Sequence, residues 1–266
     1  MSTNQIKCLG VIPARLESSR FPNKPLKDIA GKTLIERVWL QAKKAKNVTK
    51  LVVATNNKEI GDICSSKGID FVMTSALHET GTDRVAEAAK ILDPLSNIFD
   101  LVANIQGDMP FINPSIIDST ISSLSDRNQK FGMATIGTPI TDREEFERSS
   151  VVKIALGENG KALYFSRSPI PFWRNFTSTD TVNEENPLGY KHMGLYIFRA
   201  ATLHSLADMT KAWTEKRESL EQLRALAHGV EIRVNVVPRM AVEPSIEVDT
   251  PEDLIKAIEF AIKSER

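Results

Sequence analysis

The chain reads as an α/β fold with a mostly parallel central sheet and a smaller, strand-rich second lobe. Two patterns predict it. The first half alternates short apolar, β-branched runs with longer helical stripes, which implies parallel pairing through right-handed crossovers. The second half has strand-like runs separated by turns. The length of 266 residues is long for one small domain and short for two full ones.

The elements follow in order. Leu9 to Ile12 is a short apolar run closed by Pro13, a first strand. Leu34, Ile35, Val38, Trp39, Ala42 and Ala45 make one helical stripe. Leu51 to Ala54 is a second strand, and Lys58 to Lys67 a helix ended by Gly68. Asp70 to Met73 is a third strand, Asp83 to Leu92 a helix, Leu101 to Ile105 a fourth strand and Pro114 to Leu124 another helix. Strands follow at Met133 to Thr138, Val151 to Leu156, Ala162 to Phe165, Leu195 to Phe198 and Ile232 to Val237. Residues 172–190 are polar and loop-like, and 214–227 suit one helix. Thr250 caps a last helix over Pro251 to Ile262, with Glu252 and Asp253 in its first turn.

Composition narrows the function classes. With 34 basic and 34 acidic side chains, the net charge of zero argues against nucleic acid as the main partner. Cys8 and Cys64 read as buried free thiols rather than a disulfide framework. The polar start, Met1 to Lys7, lacks a signal peptide's apolar stretch. No run approaches the ~18 apolar residues of a membrane span. The expectation is a cytoplasmic protein without membrane insertion.

Ligands of parallel sheets sit beyond the carboxyl ends of strands. The segments after Ile12 and Ile105 are therefore the places to look. Residues 11–26 carry Arg15, Arg20 and Lys24 among two serines and three prolines. Cations here suit a polyphosphate, although composition alone leaves a solvated basic loop as the alternative. The segment is neither a Walker loop nor a GxGxxG fingerprint. Asp108 follows the fourth strand and Asp249 precedes the last helix. Each alone suits a turn or cap; together they offer two hard oxygen ligands, a number that Mg²⁺ commonly takes.

Seven motifs in order resemble the 3-deoxy-manno-octulosonate cytidylyltransferases, the CMP-Kdo synthetases. They are the 11–26 segment, Thr80-Gly81-Thr82-Asp83-Arg84, Gln106-Gly107-Asp108-Met109-Pro110, and Leu163 to Arg167 followed by Ile170-Pro171. Lys191 to Tyr196, Glu218 to Arg224 and Val248 to Asp253 complete the series. The resemblance implies a single Rossmann-like nucleotidyltransferase domain and a homodimer. A nucleotide-binding part would occupy roughly 1–135 plus 238–266, and a sugar-binding, dimerising lobe roughly 136–237. It implies Mg²⁺ as cofactor, held by Asp108 and Asp249, and CTP with a 3-deoxy-octulosonic acid as substrates. Arg15, Lys24, Asp108 and Asp249 would be catalytic. Ala14, Arg15, Lys24, Gly81, Thr82, Arg84 and Gln106 would hold the nucleotide, with Thr82 and its backbone reading cytosine. Arg20, Gln106, Arg167, His192, Tyr196, Glu218 and Gln222 would face the sugar. The product would be CMP-Kdo for lipopolysaccharide synthesis. The chain departs from the family pattern at Phe172-Trp173-Arg174-Asn175 and at Glu247. An 8-amino-8-deoxy sugar acid or a CMP-sialate-type reaction therefore stands as the alternative.

Overall fold

The computed structural model describes residues 6–17, 21–126, 129–177 and 179–265. The chain divides into two compact units, Met1–Asp118 with Glu243–Arg266, and Ser119–Val242.

The first unit opens on β1 (Cys8–Ala14), where all but one residue is buried. That pattern suits a strand covered on both faces. The strand runs through Pro13 instead of closing at Ile12. Pro13 is paired with Ala54, while the ladder on the other flank ends at Val11 and Asn104. The Val11 carbonyl accepts from Ile105 on that flank, so the N–H that proline lacks falls where no strand partner remains. A hairpin follows, β2 (Asp28–Ile29) and β3 (Lys32–Thr33), turned by Ala30 and Gly31 at φ 50° and 83°. Two left-handed residues match a type I′ turn. Then come α1 (Leu34–Ala42), β4 (Lys50–Thr55), α2 (Lys58–Ser66), β5 (Phe71–Met73), α3 (Gly81–Leu92) and β6 (Leu101–Asn104). The strands of this unit lie in the order β6-β1-β4-β5, all parallel. The loops after β1 and β6 thus lie at the carboxyl ends of adjacent parallel strands, the ligand edge of such a sheet. Helix α4 (Pro114–Ser123) carries the chain across the division.

The second unit contains β7 (Met133–Ile140), α5 (Arg143–Glu147), β8 (Lys153–Leu156), β9 (Ala162–Ser166) and β10 (Gly189–Arg199). It continues with α6 (Ala200–Asp208), α7 (Trp213–Glu218), α8 (Gln222–Ala227), β11 (Ile232–Val236) and α9 (Arg239–Val242). β10 is antiparallel to both β7 and β8, β8 is antiparallel to β9, and β11 runs parallel to β7. The single helix expected over 214–227 is two. Ser219 takes a left-handed φ of 53° and stops α7, and Arg224 reaches back to Glu215 with bonds of 2.6 and 3.0 Å. The helices α5, α6 and α9 were not anticipated from the sequence pattern.

The chain then returns to the first unit as α10 (Pro251–Ser264). Thr250 Oγ1 accepts from the Asp253 amide, and an Asp253 carboxylate oxygen accepts from the Thr250 amide. This is the reciprocal cap that the sequence announces. Cys8 and Cys64 are both free and buried, and burial pushes the Cys8 thiol up to about 12. Among the described residues no helix is long and apolar enough to cross a membrane.

Thr250→Ala removes the acceptor of one orphan amide and should cost about 1 kcal/mol. Urea unfolding of the variant beside the parent, with an unchanged m-value, measures it.

Candidate active site

Two loops and one helix start converge in the first unit. After β1 the chain is pinned from several sides. Asn57 accepts the Leu16 amide at 3.0 Å and donates to Glu17 at 2.9 Å, and the Asn23 amide closes on the Leu16 carbonyl. Asn23 adopts a left-handed φ of 60° and starts the short turn Lys24–Leu26, which turns Lys24 inward. After β6, Gly107 crosses the end of β1. A Cβ there would meet the Pro13 carbonyl oxygen at 2.8 Å, so only glycine permits this approach. The Val248 amide donates to the Asp108 carbonyl at 2.9 Å, which places Asp249 beside Asp108.

The result is one ammonium between two carboxylates. Lys24 Nζ lies 3.2 Å from Asp108 and 2.9 Å from Asp249. Burial opposes the Lys24 charge, but the charges and hydrogen bonds of both aspartates outweigh it and hold its pKa above the ordinary value. The pair borders a cavity of about 320 Å³, lined by Ala14, Arg15, Lys24, Gly81, Arg84, Gln106, Asp108 and Asp249 among others. Eight of the residues picked from the sequence thus share one cavity. Arg15 is exposed, whereas Arg84 is buried and donates to Thr74 Oγ1 at 2.6 Å and the Ser75 carbonyl at 3.3 Å. Burial first, and Arg15 second, push the Arg84 pKa down. Two cations near each other at a polar cavity favour an anionic occupant.

Thr82 is not among the cavity-lining residues. Helix α3 starts two residues earlier than the sequence pattern implied, so Gly81 and Thr82 form its first turn rather than an open loop. The lining residues in this segment besides Gly81 are Arg84 and Thr80, the N-cap, which accepts from the Asp83 amide at 3.1 Å. The Thr80-x-x-Asp83 spacing signals such a cap and would have found it. Pro13, Glu17, Pro25 and Gly107 also line the cavity without having been singled out for a role in it. Arg20 lies outside the described residues.

A second cluster stands in the second unit. β10 carries an irregularity between Met193 and Tyr196 opposite the single step Ile136–Thr135 of β7. In a regular strand, residues four apart would be about 13 Å apart. Here the His192 and Tyr196 rings approach to 5.4 Å. Thr135 Oγ1 contacts His192 Nε2 at 2.9 Å and the Leu195 carbonyl at 2.8 Å. The hydroxyl has one proton and the carbonyl can only accept, so that proton goes to Leu195. His192 therefore carries its proton on Nε2, donates it to Thr135, and leaves Nδ1 as an acceptor. Burial lowers the His192 pKa to about 3. Tyr196 OH donates to Gln222 Oε1 at 3.1 Å, while Gln222 Nε2 is buried without a partner among the described residues. Glu218 accepts from Ser166 Oγ at 2.7 Å and from the Arg167 amide at 3.0 Å. In the second unit His192, Tyr196 and Gln222 thus form one contact group and Arg167 and Glu218 another, while Gln106 lies in the first unit.

Among the described residues no group of three or more histidine, cysteine or carboxylate side chains could form a metal centre. Asp108 and Asp249 nevertheless point oxygens at one common atom on a polar cavity. Two hard oxygen donors with room for phosphate and water fit Mg²⁺, which rarely takes an all-protein cage.

A parallel α/β sheet with a cationic cavity and paired carboxylates beyond its strand ends suits a polyphosphate ligand such as a nucleotide, and the protein's relatives make it a nucleotidyltransferase. The Cytidylyltransferase family model matches residues 9–232, and the chain belongs to that family. The 3-deoxy-manno-octulosonate cytidylyltransferase of Syntrophotalea carbinolica is 41% identical over 247 residues, covering 92% of this chain and 95% of that protein. The same-named protein of Pseudomonas syringae pv. tomato is 42% identical over 246 residues, covering 92% and 94%. A solved structure of CMP:2-keto-3-deoxy-manno-octonic acid synthetase complexed with CTP superposes with a TM-score of 0.86 at 34% identity, covering 97% of this chain and 99% of that one. The 4-diphosphocytidyl-2C-methyl-D-erythritol synthase of Anaerococcus prevotii, at 14% identity and a TM-score of 0.61, shares the fold.

The His192 pKa of about 3 has a readable consequence. The imidazole should show no titration between pH 5 and 8 by NMR. Stability has a matching sign. An unfolded histidine takes up a proton near pH 6.5, whereas the native one does so only near pH 3. His192 therefore erodes stability as pH falls from about 6.5 toward 3 and has no effect above that window. Unfolding of His192→Gln across the same range should show a shallower acid limb.

Proposed function

We propose that the protein transfers CMP from CTP to 3-deoxy-manno-octulosonate and releases pyrophosphate. The observation that carries this reading is the Lys24 ammonium held by Asp108 and Asp249 on the cavity that Arg15 and Arg84 also line. The names of the two curated relatives and of the structure solved with CTP, which specify the manno-octulosonate sugar acid, supply the acceptor. They favour it over the 8-amino and sialate alternatives.

The sugar's anomeric hydroxyl oxygen attacks the α-phosphorus of CTP. That P–O bond forms as the bond to the bridging oxygen breaks, pyrophosphate leaves, and the hydroxyl's proton passes to solvent water. Arg15 and Lys24 face the phosphates and offset the charge that builds on their oxygens. The first turn of α3, at Gly81, offers backbone N–H groups to the nucleotide. Asp108 and Asp249 would hold Mg²⁺, which when bound polarises phosphate oxygen and lowers the pKa of a bound hydroxyl. In the second unit Arg167 takes the sugar's carboxylate. His192 Nδ1 accepts a sugar hydroxyl, and the unpartnered Gln222 Nε2 donates one. The enzyme works in the cytoplasm as a homodimer, and its product feeds lipopolysaccharide assembly.

Pyrophosphate release with Mg²⁺ and the manno-octulosonate acid should be much faster from CTP than from ATP or GTP; equal rates would sink the reading. Asp108→Asn and Asp249→Asn should each lower kcat on the order of 10²–10³ while leaving the folded content unchanged by circular dichroism. Wild-type turnover in either at limiting Mg²⁺ would remove the two-carboxylate site.

The homodimer is proposed to form through the second unit, where Phe172 and Trp213 are exposed large apolar side chains. Light scattering at micromolar concentration should return twice the chain mass, and a monomer would refute it.

A further inference from the structure

Lys153 opens β8 and is fully buried. An ammonium in that position is costly unless its donors are satisfied. It has three N–H donors, and all three find backbone carbonyls: Arg148 at 3.0 Å, Val151 at 2.7 Å and Arg167 at 2.5 Å. Two of these acceptors belong to the turn before β8. The third belongs to the residue after β9, whose last residue, Ser166, lies opposite Lys153 in the antiparallel ladder. The lysine thus ties the turn to the end of β9 from below.

The residue it ties there is Arg167. Its amide donates to Glu218 at 3.0 Å and its carbonyl is taken by Lys153. Its guanidinium donates to the Glu218 carbonyl at 2.8 Å and to the Ser149 carbonyl at 3.3 Å. The Glu218 carboxylate is committed to Ser166 and to the Arg167 amide rather than to either cation. Burial and the Arg167 charge push the Lys153 pKa down, while Glu218 opposes them. The neighbourhood therefore holds two cations against one carboxylate. A polar cluster with that surplus is suited to an anionic partner.

We propose that Lys153 is a positioning residue for the acceptor: it fixes the backbone under Arg167, the group that takes the sugar's carboxylate. The proposal rests on the reading that Arg167 takes that carboxylate. It reaches a residue that touches no substrate and that sequence reasoning passes over, because a lysine in a strand reads as solvent-facing.

The test compares steady-state kinetics of the full-length wild type, Lys153→Met, Arg167→Ala and the double variant, varying the sugar acid and CTP in turn. Lys153→Met should raise the KM for the sugar acid about tenfold and leave kcat and the KM for CTP within twofold. The double variant should match Arg167→Ala alone, because Lys153 acts through Arg167. An unchanged sugar KM in Lys153→Met beside an impaired Arg167→Ala overturns the Lys153 role and leaves the sugar reading standing. Multiplying effects in the double variant, or an equal rise in the KM for CTP, also overturn it. An unchanged sugar KM in Arg167→Ala removes the premise and the proposal together. Lys153→Gln keeps a donor and drops the charge; it should give a smaller rise of the same kind. It decides the matter by the same outcomes if the methionine variant does not fold.

Discussion

The candidate site in the first unit is organised around one ammonium shared by two carboxylates. Lys24 is 84 residues from Asp108 and 225 from Asp249, so the contact joins three remote stretches of chain. Each is delivered by local backbone chemistry. Asn57 and Asn23 fold the loop after β1, Gly107 lets the loop after β6 cross β1, and the Val248 amide docks the start of α10 on Asp108. Without a cation between them, two carboxylates directed at one point would repel. The parallel sheet sets where this meeting can occur. Only beyond the strand ends are the loops free to converge.

That dependence explains what the sequence made legible. Motifs with a local cause were readable residue by residue. The Thr250-Pro251-x-Asp253 cap, the alternation of strand and helix through Leu101–Asn104, and the basic loop holding Arg15 and Lys24 all express short-range rules. Features set by tertiary geometry were not. Ser219 breaks the 214–227 helix through a left-handed φ that no glycine advertises. The run of β1 through Pro13 became possible only because its neighbour ends first. Helix α6 follows β10 without a side-chain cap, so its start had no signature. Thr82 was chosen for a loop that is a helical turn, and in this segment the cavity is lined by Thr80, Gly81 and Arg84. In the second unit the irregularity that brings His192 to Tyr196 could not be read from Met193-Gly194-Leu195.

Ion pairs serve opposite ends in this molecule, and burial separates them. Glu215 and Arg224 are 6% and 8% exposed and pair through two nitrogens. Breaking such a pair strands a buried charge, at about 3–5 kcal/mol, so it holds α7 to α8 and with them Glu218 and Gln222. The Lys24 pairs differ: Asp108 and Asp249 are 25% and 37% exposed. Water screens them, and a partly exposed pair contributes little net stability. That weakness suits a site whose occupants must change. An ammonium that bridges two carboxylates can turn to an incoming phosphate, and the carboxylates it leaves can be met by another cation, with little loss to the fold. The permanent pair fixes where side chains stand; the exchangeable one keeps its charges available.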